Sequence, residues 1–417
     1  MTLAQEHRRS DNDDSPSAGA TPRGLERILR LGIWGVFAVS AVLGTIGLVI
    51  RITEGHLPAG YGSYVPWGLW IAVYFHGVGI AAGAFAVTAL AHLLRVPGFT
   101  DPRALRLTTV LVAATIGPAL LAVGLDLGHM ERAWRLILAP AFTSMMAFNT
   151  WMYITLLVIC AVVWWLTYRP DRGWLRPVLA LGVLVSIAVP SQSGAFFGVV
   201  DAKPYWHSAL LPILLLVSAL TAGAAALMVV RAVMGRGGAR PSTQDVGGAW
   251  SAIAALRWVV LAGLVTYFFL EFAEFSIVLW NPQASSPEIS LVLTGPYWWV
   301  FWLVHVLLGG LVPLALLLLK RPWAWVLAGA LVATTFISTR LNVLIPGQSL
   351  SEIEGLQEAF YHPRLDHLYV ATPMEYMVAL LCLALGMAVL FVGWRLSSAI
   401  ETRLNRPTPQ PTPEDPR

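Results

Sequence analysis

Charge is what this sequence has least of. Asp, Glu, Lys and Arg make up 12% of its 417 residues, against about 25% in a soluble chain. So few charges cannot cover a water-facing surface, which excludes a soluble enzyme and leaves lipid as the solvent for most of the exterior. Cysteine is also scarce. The two thiols, Cys160 and Cys382, each lie inside an apolar run. An iron–sulfur cluster takes about four thiolates and a structural zinc site makes a comparable demand, so the chain is expected to carry no cluster and no metal of its own. A cleavable signal peptide is missing by pattern, because the first apolar run begins near Leu31 behind a polar, acidic and Ser-containing stretch.

What is abundant is apolar sequence, 57% of the chain. About 20 such residues cross the hydrocarbon core as a helix. Ten runs qualify, at roughly 31–50, 66–94, 105–125, 147–168, 174–199, 208–233, 254–280, 296–319, 322–345 and 370–394. The fold class is therefore an all-α integral membrane protein of about ten transmembrane helices. A membrane domain over 27–397 is flanked by polar tails at 1–26 and 398–417. The second tail, RPTPQPTPEDPR, is Pro-rich and expected to be disordered.

The basic residues are lopsided. Arg51, Arg132, Arg135, Lys203 and Arg364 fall on one side, Arg340 lies within a helix, and the remainder share the side of the N-terminus. The positive-inside rule then puts both termini in the cytoplasm. It also accounts for the net charge of +4 without nucleic-acid binding. Trp67, Trp70, Trp280, Trp298 and Trp299 read as an outer interfacial belt. Trp164, Trp165, Trp174, Trp323, Trp325 and Trp394 read as an inner one.

Ionisable groups inside a bilayer cost roughly 2.5–3.5 kcal/mol at its centre, so their placement is informative. The second run opens YVPWGLWIAVYFHG and carries Trp67, Tyr74 and His76. The third ends in DLGHMERAW, with Asp126, His129, Glu131 and Arg132. The seventh closes LEFAEFSIVLW, with Glu271 and Glu274 below Asn281. The eighth starts GPYWWVFWLVH, with Trp299 and His305. The ninth ends TRLNVLIPG, with Arg340 and Asn342, and the tenth starts TPMEY, with Glu375. At 1.5 Å per residue, His76, Glu271, Glu274, His305 and Arg340 share a depth of about 9–15 Å below the outer surface. A carboxylate pair beside an arginine suits a buried setting. Such a nest among aromatics suits a ligand with an apolar body that exchanges protons, as a quinone does. Other readings stand beside this one. The two glutamates pair with Arg340 only to lock helices seven and nine. His76 and His305 are satisfied core histidines, or ligate a b-type haem. His129, Glu131 and Arg132 form a solvated helix end.

Several motifs occur in order: YVPWGLWIA with GIAAGAF, DLGHMERAWRLILAPAFTSMMAFNTWMY, GAFFGVVDAKPYWHSALLPI, EFAEFSIVLW, GPYWWVFWLVH and RLNVLIPG. Over roughly residues 27–395 the chain resembles the NrfD-like membrane subunits, which include the anchors of polysulfide reductase, of a hydrogenase and of alternative complex III. The resemblance implies two four-helix bundles, helices two to five and six to nine, plus two flanking helices. It also implies a haem-free subunit that binds menaquinone or ubiquinone. The implied partners are a ferredoxin-like subunit with several iron–sulfur clusters and, through it, a molybdopterin or hydrogenase-type catalytic subunit. Relatives often carry a His shortly before the GAxFG segment. Here that stretch is Pro190-Ser191-Gln192-Ser193, which leaves Ser191 and Gln192 as its polar candidates.

The expected function is that of a quinone-reactive electron-transfer subunit in a bacterial inner membrane. Glu271, Glu274, Asp126 and Arg340 would handle charge and protons. His76, Trp67, Tyr74, His305, Trp299, Asn342 and Gln192 would line the headgroup site. Outer loops 51–64, 126–146, 200–207, 281–295 and 346–369 would meet the partner. A secondary transporter and a di-haem cytochrome b are the alternatives. Against the first, the polar cluster lies near one face and not at the midplane. Against the second, paired histidines are too few.

Overall fold

The computed structural model describes residues 23–141, 143–234, 243–280, 287–351, 353, 355–359, 362 and 366–404. Among them ten helices are long and apolar enough to cross a membrane. They are α1 (Arg23–Glu54), α2 (Leu69–Leu93), α3 (Pro102–Asp126), α4 (Met145–Leu166), α5 (Leu175–Gly198), α6 (Leu211–Met234), α7 (Thr243–Trp280), α8 (Val300–Leu318), α9 (Pro322–Ser349) and α10 (Pro373–Leu404). Most of the two terminal tails and Asn281 lie outside the described residues. Helix starts follow local chemistry. Asp101 accepts a bond from the Arg103 backbone N–H at 2.8 Å and Pro102 occupies the first turn of α3. Ser144 caps α4 in the same way. Both are favoured first-turn arrangements.

Helices α2–α5 form one bundle and α6–α9 a second, while α1 pairs with α10, which lies against α3. The two bundles meet along α2 and α6. Their sequences there are GIAAGAFA and LTAGAAAL, with small residues throughout. A Cβ on Gly83 would fall on the Ala219 carbonyl, and one on Gly223 on the Gly83–Ala84 backbone. Lipid tails are as apolar as leucine, so close backbone approach through small residues is what holds membrane helices together.

Two helices depart from regular geometry. The first twelve residues of α8, Val300–Leu311, are π-helical, a form concentrated at functional sites. Helix α9 is interrupted at Phe336, where Thr339 N–H donates back to the Phe336 carbonyl at 3.2 Å, and again before Pro346.

The tryptophan belts need one correction. Trp280, Trp298 and Trp299 are exposed to the lipid side, as are Trp165, Trp174 and Trp323 at the other end. Trp70 is not: it is fully buried, and its indole N–H donates to the Glu375 carbonyl oxygen. Trp67 stacks on Trp206, at the end of the fold away from the N-terminus.

Candidate functional site

The polar residues fall into two groups. The larger lies inside the second bundle and where it meets α2. His305, on the π-helical stretch, is fully buried, with its Nε2 2.9 Å from Glu271 Oε2 of α7. Its Nδ1 is 3.2 Å from the Ser338 hydroxyl of α9. That hydroxyl spends its only hydrogen on the Thr335 carbonyl at 2.6 Å, so it must accept from His305, and Nδ1 carries the N–H. The Nε2···Oε2 contact therefore holds a single proton, as carboxylic acid with imidazole or as carboxylate with imidazolium. Tyr267, one turn before Glu271, donates to the other carboxylate oxygen at 3.2 Å. Rings of Phe268, Phe301 and Phe336 enclose the imidazole.

Arg340 does not join this pair. Its guanidinium donates to the hydroxyls of Ser218 on α6 (2.6 Å) and Thr339 (3.2 Å), and it forms no ion pair among the described residues. The expected lock of Glu271 and Glu274 onto Arg340 is thus corrected: Glu271 takes His305 instead, and Glu274 is half-buried without a hydrogen bond to a described residue. Arg340 looks into a narrow crevice between the two bundles, lined also by Phe75, Val78 and Gly79 of α2, Pro190 and Ser193 of α5, and Leu215 of α6. The crevice measures about 10 Å³, room for about one water. Next along α2, His76 donates from Nε2 to the Ala333 carbonyl beside the break in α9, at 2.8 Å.

The other residues proposed from sequence surround this centre loosely. Tyr74 bonds Tyr153 at 2.7 Å within the first bundle. Trp67 exchanges two backbone bonds with the Gln348 amide. The Asn342 carbonyl accepts from Tyr205, while its buried side-chain Nδ2 has no partner. Gln192 is half-buried beside the crevice residue Ser193. Trp299 is 46% exposed and outside the cluster.

Asp126 belongs to a second group, where the C-terminal ends of α1 and α3 meet the N-terminal end of α10. Arg51 donates to the Leu125 carbonyl and to His56 Nε2 at 2.6 Å, and His56 Nδ1 lies 2.6 Å from the Tyr61 hydroxyl. Arginine only donates, so His56 accepts at Nε2 and carries its hydrogen on Nδ1, which leaves the Tyr61 hydrogen free. Burial and then the Arg51 charge hold the His56 pKa below its ordinary value. Burial raises that of Tyr61, followed by the fields of Asp126 and Glu375. Asp126 Oδ1 is buried without a partner. Glu375 is fully buried and satisfied by Gly60 N–H, Thr372 N–H and hydroxyl, and the Tyr369 hydroxyl. His129, Glu131 and Arg132 are exposed and pair only with each other.

Sequence reasoning passed over Tyr267, Ser338, Ser218, His56 and Tyr61. Tyr267 was within reach, since it lies four residues before Glu271 on one helix face. The serines sit in apolar helices where only packing reveals a partner.

Among the described residues no group of three His, Cys, Asp or Glu side chains is placed to hold a metal ion. Ten membrane-length helices, eight of them in two joined bundles with charges buried between them, make the chain a multi-pass integral membrane protein. It belongs to the family described as polysulphide reductase, NrfD, whose profile matches residues 59–351. It is 27% identical to a selenate reductase subunit from Mesobacillus selenatarsenatis, over 82% of this chain and 88% of that one. It is 25% identical to the Hdr-like menaquinol oxidoreductase integral membrane subunit of Archaeoglobus fulgidus (82% and 87%) and to protein NrfD of Escherichia coli (62% and 84%).

Proposed function

We propose that this chain is the quinone-reactive subunit of a respiratory oxidoreductase complex, passing electrons between the quinone pool and an iron–sulfur partner. The observation that carries the reading is Arg340, a buried guanidinium without a carboxylate partner among the described residues, turned into a crevice where the bundles meet. Ser218 and Thr339 leave part of its donor capacity unused, and an oxygen of a quinone headgroup suits what remains. Phe75, Val78, Pro190 and Leu215 suit its apolar ring. The crevice as it stands is narrower than a quinone, so entry requires these side chains to move apart. Menaquinone or ubiquinone, when bound, supplies two-electron, two-proton chemistry.

The chain's own residues orient the headgroup and handle protons. Arg340 fixes one end. Glu271 and His305 store one proton beside Tyr267, within the hydrophobic shell that keeps water from it. Asp126, with its unpartnered oxygen, exchanges protons with the outer face, where the acids concentrate. The relatives that are named as subunits of selenate reductase and of a menaquinol oxidoreductase support this reading. The partner is a ferredoxin-like multi-cluster protein, coupled to a molybdopterin or hydrogenase-type enzyme. It docks on the outer loops, where Leu57, Trp134 and Leu138 are exposed. The setting is the bacterial inner membrane with both termini cytoplasmic.

A photoreactive quinone analogue tests the site. Label on peptides bearing Phe75, Ser193 or Leu215, displaced by excess quinone, supports it. Saturable label confined to the outer-end group around Asp126 overturns it.

A further inference from the structure

At the opposite end of the molecule, on the side of the N-terminus, a cavity of about 200 Å³ opens between α2 and α5. It is lined by His92 and Leu93 of the last turn of α2, Arg95 and Thr100 of the α2–α3 connection, and Arg176 of the first turn of α5. Arg95 and Arg176 are exposed, and their guanidinium groups form neither a hydrogen bond nor an ion pair with any described residue. Three acids at this end are already engaged. Asp101 caps α3, Asp171 accepts from the Gly173 backbone N–H and Glu401 pairs with Arg103 and Arg106. His92 Nδ1 donates to the Phe99 carbonyl at 2.7 Å. That bond fixes the ring at the cavity wall.

The backbone adds a second observation. Arg95 has φ of 59°, the single non-glycine residue with positive φ among the described ones. A long side chain there is strained, and nothing in the fold compensates with a contact to its guanidinium. Glycine would fit this turn at no steric cost. Strain retained at an unpartnered charged residue is a mark of a binding role.

The surroundings indicate what kind of anion is bound. The cavity sits at helix ends, at headgroup depth. Beside it Leu90 and Leu94 of α2 and Trp174 at the start of α5 are 47%, 68% and 73% exposed. A free anion needs none of this apolar rim. A phospholipid needs both parts: cations for its phosphate and an apolar wall for its chains. Basic pockets between membrane helices on the cytoplasmic side bind such headgroups.

We propose that His92, Arg95, Thr100 and Arg176 form a site for the phosphate of an anionic phospholipid of the inner leaflet, with its chains running along α2 and α5. The site is far from the quinone crevice and does not depend on the function proposed for it.

The test uses the full chain in nanodiscs of phosphatidylcholine, with or without phosphatidylglycerol. Native mass spectrometry reads lipid retention, and the melting temperature is recorded in each lipid. Wild type is expected to retain phosphatidylglycerol over phosphatidylcholine and to melt higher in its presence. Each nearby cation contributes about 1 kcal/mol to such attraction, so Arg95→Gly or Arg176→Gln should cut the preference roughly fivefold and the double variant roughly 30-fold. Arg95→Gly also relieves the turn, so in pure phosphatidylcholine it should melt no lower than wild type. That outcome separates lost binding from lost folding. Wild-type lipid preference in the folded double variant overturns the site. Inorganic phosphate that protects the phosphatidylcholine-embedded protein as well as phosphatidylglycerol does overturns the lipid assignment in favour of a soluble anion.

Discussion

His305 Nε2 and Glu271 Oε2 are 2.9 Å apart in the interior of the second bundle, and the Ser338 hydroxyl forces the two to share one proton. The π-helical stretch of α8 is what aims the imidazole at α7. Side chains that hold a proton away from water, next to a charged arginine, are the parts a quinone-linked reaction needs from a protein.

The pair's role separates by substitution. Glu271→Gln keeps an oxygen for Tyr267 and an amide for His305, so complexes should assemble. It cannot trade a proton. Quinol-linked turnover of assembled complexes is expected to fall at least about 100-fold, the lower range for loss of a positioned acid–base group. Glu271→Ala should in addition cost about 3–5 kcal/mol by stranding its partner. Wild-type turnover in assembled Glu271→Gln complexes would reduce the pair to a brace between α7 and α8.

The α2–α6 crossing makes a stability prediction. A side chain at Gly223 meets the backbone of Gly83 and Ala84, which has no rotamer to yield. Gly223→Val should part the bundles and lower the melting temperature sharply, with loss of the crevice between them. Gly124, whose Cβ would meet nothing within 4 Å, serves as the control: Gly124→Ala should leave the bundles joined. Equal melting temperatures for the two would contradict the crossing as the joint of the fold.

Acid should weaken the group around Arg51, His56 and Tyr61. His56 has a pKa held below its ordinary value by burial and by Arg51. The unfolded chain therefore binds more protons than the folded one in the interval between the two values, and stability rises with pH there. Its contribution is full above the unfolded value near 6.5. It is lost as pH falls through that value towards the folded pKa. The stability gap between wild type and His56→Gln should shrink from about pH 7.5 to about pH 5, as read by thermal unfolding in nanodiscs. A gap that widens on acidification would show that His56 is charged in the fold.

Helix number was legible because apolar run length carries it, while the two-bundle arrangement was implied by the resemblance to the NrfD-like subunits. The polar centre was legible only as a depth. Glu271, His305 and Arg340 stood out as costly residues in lipid, yet which of them touch was not written in their spacing. The obvious opposite charges, Glu271 and Arg340, do not pair. The π-helical stretch puts His305 where a regular 3.6-residue repeat would not. Asp126 stood with the cluster in sequence depth but sits apart from it, beside Arg51 of α1 and Glu375 of α10, a separation set by packing. Trp70 read as a lipid-facing anchor because composition does not distinguish it from Trp298. Its partner, the Glu375 carbonyl, is distant in sequence.

Arg340 is the group proposed to hold the quinone. Hydrogen bonds to a charged group are worth about 1.5–3 kcal/mol, so Arg340→Gln should raise the KM for quinol roughly 10- to 100-fold. The assay is steady-state quinol oxidation by the complete complex in native membranes, with assembly verified. Electron transfer from an artificial donor directly to the partner protein should stay at the wild-type rate. An unchanged KM for quinol in assembled Arg340→Gln complexes would contradict the account.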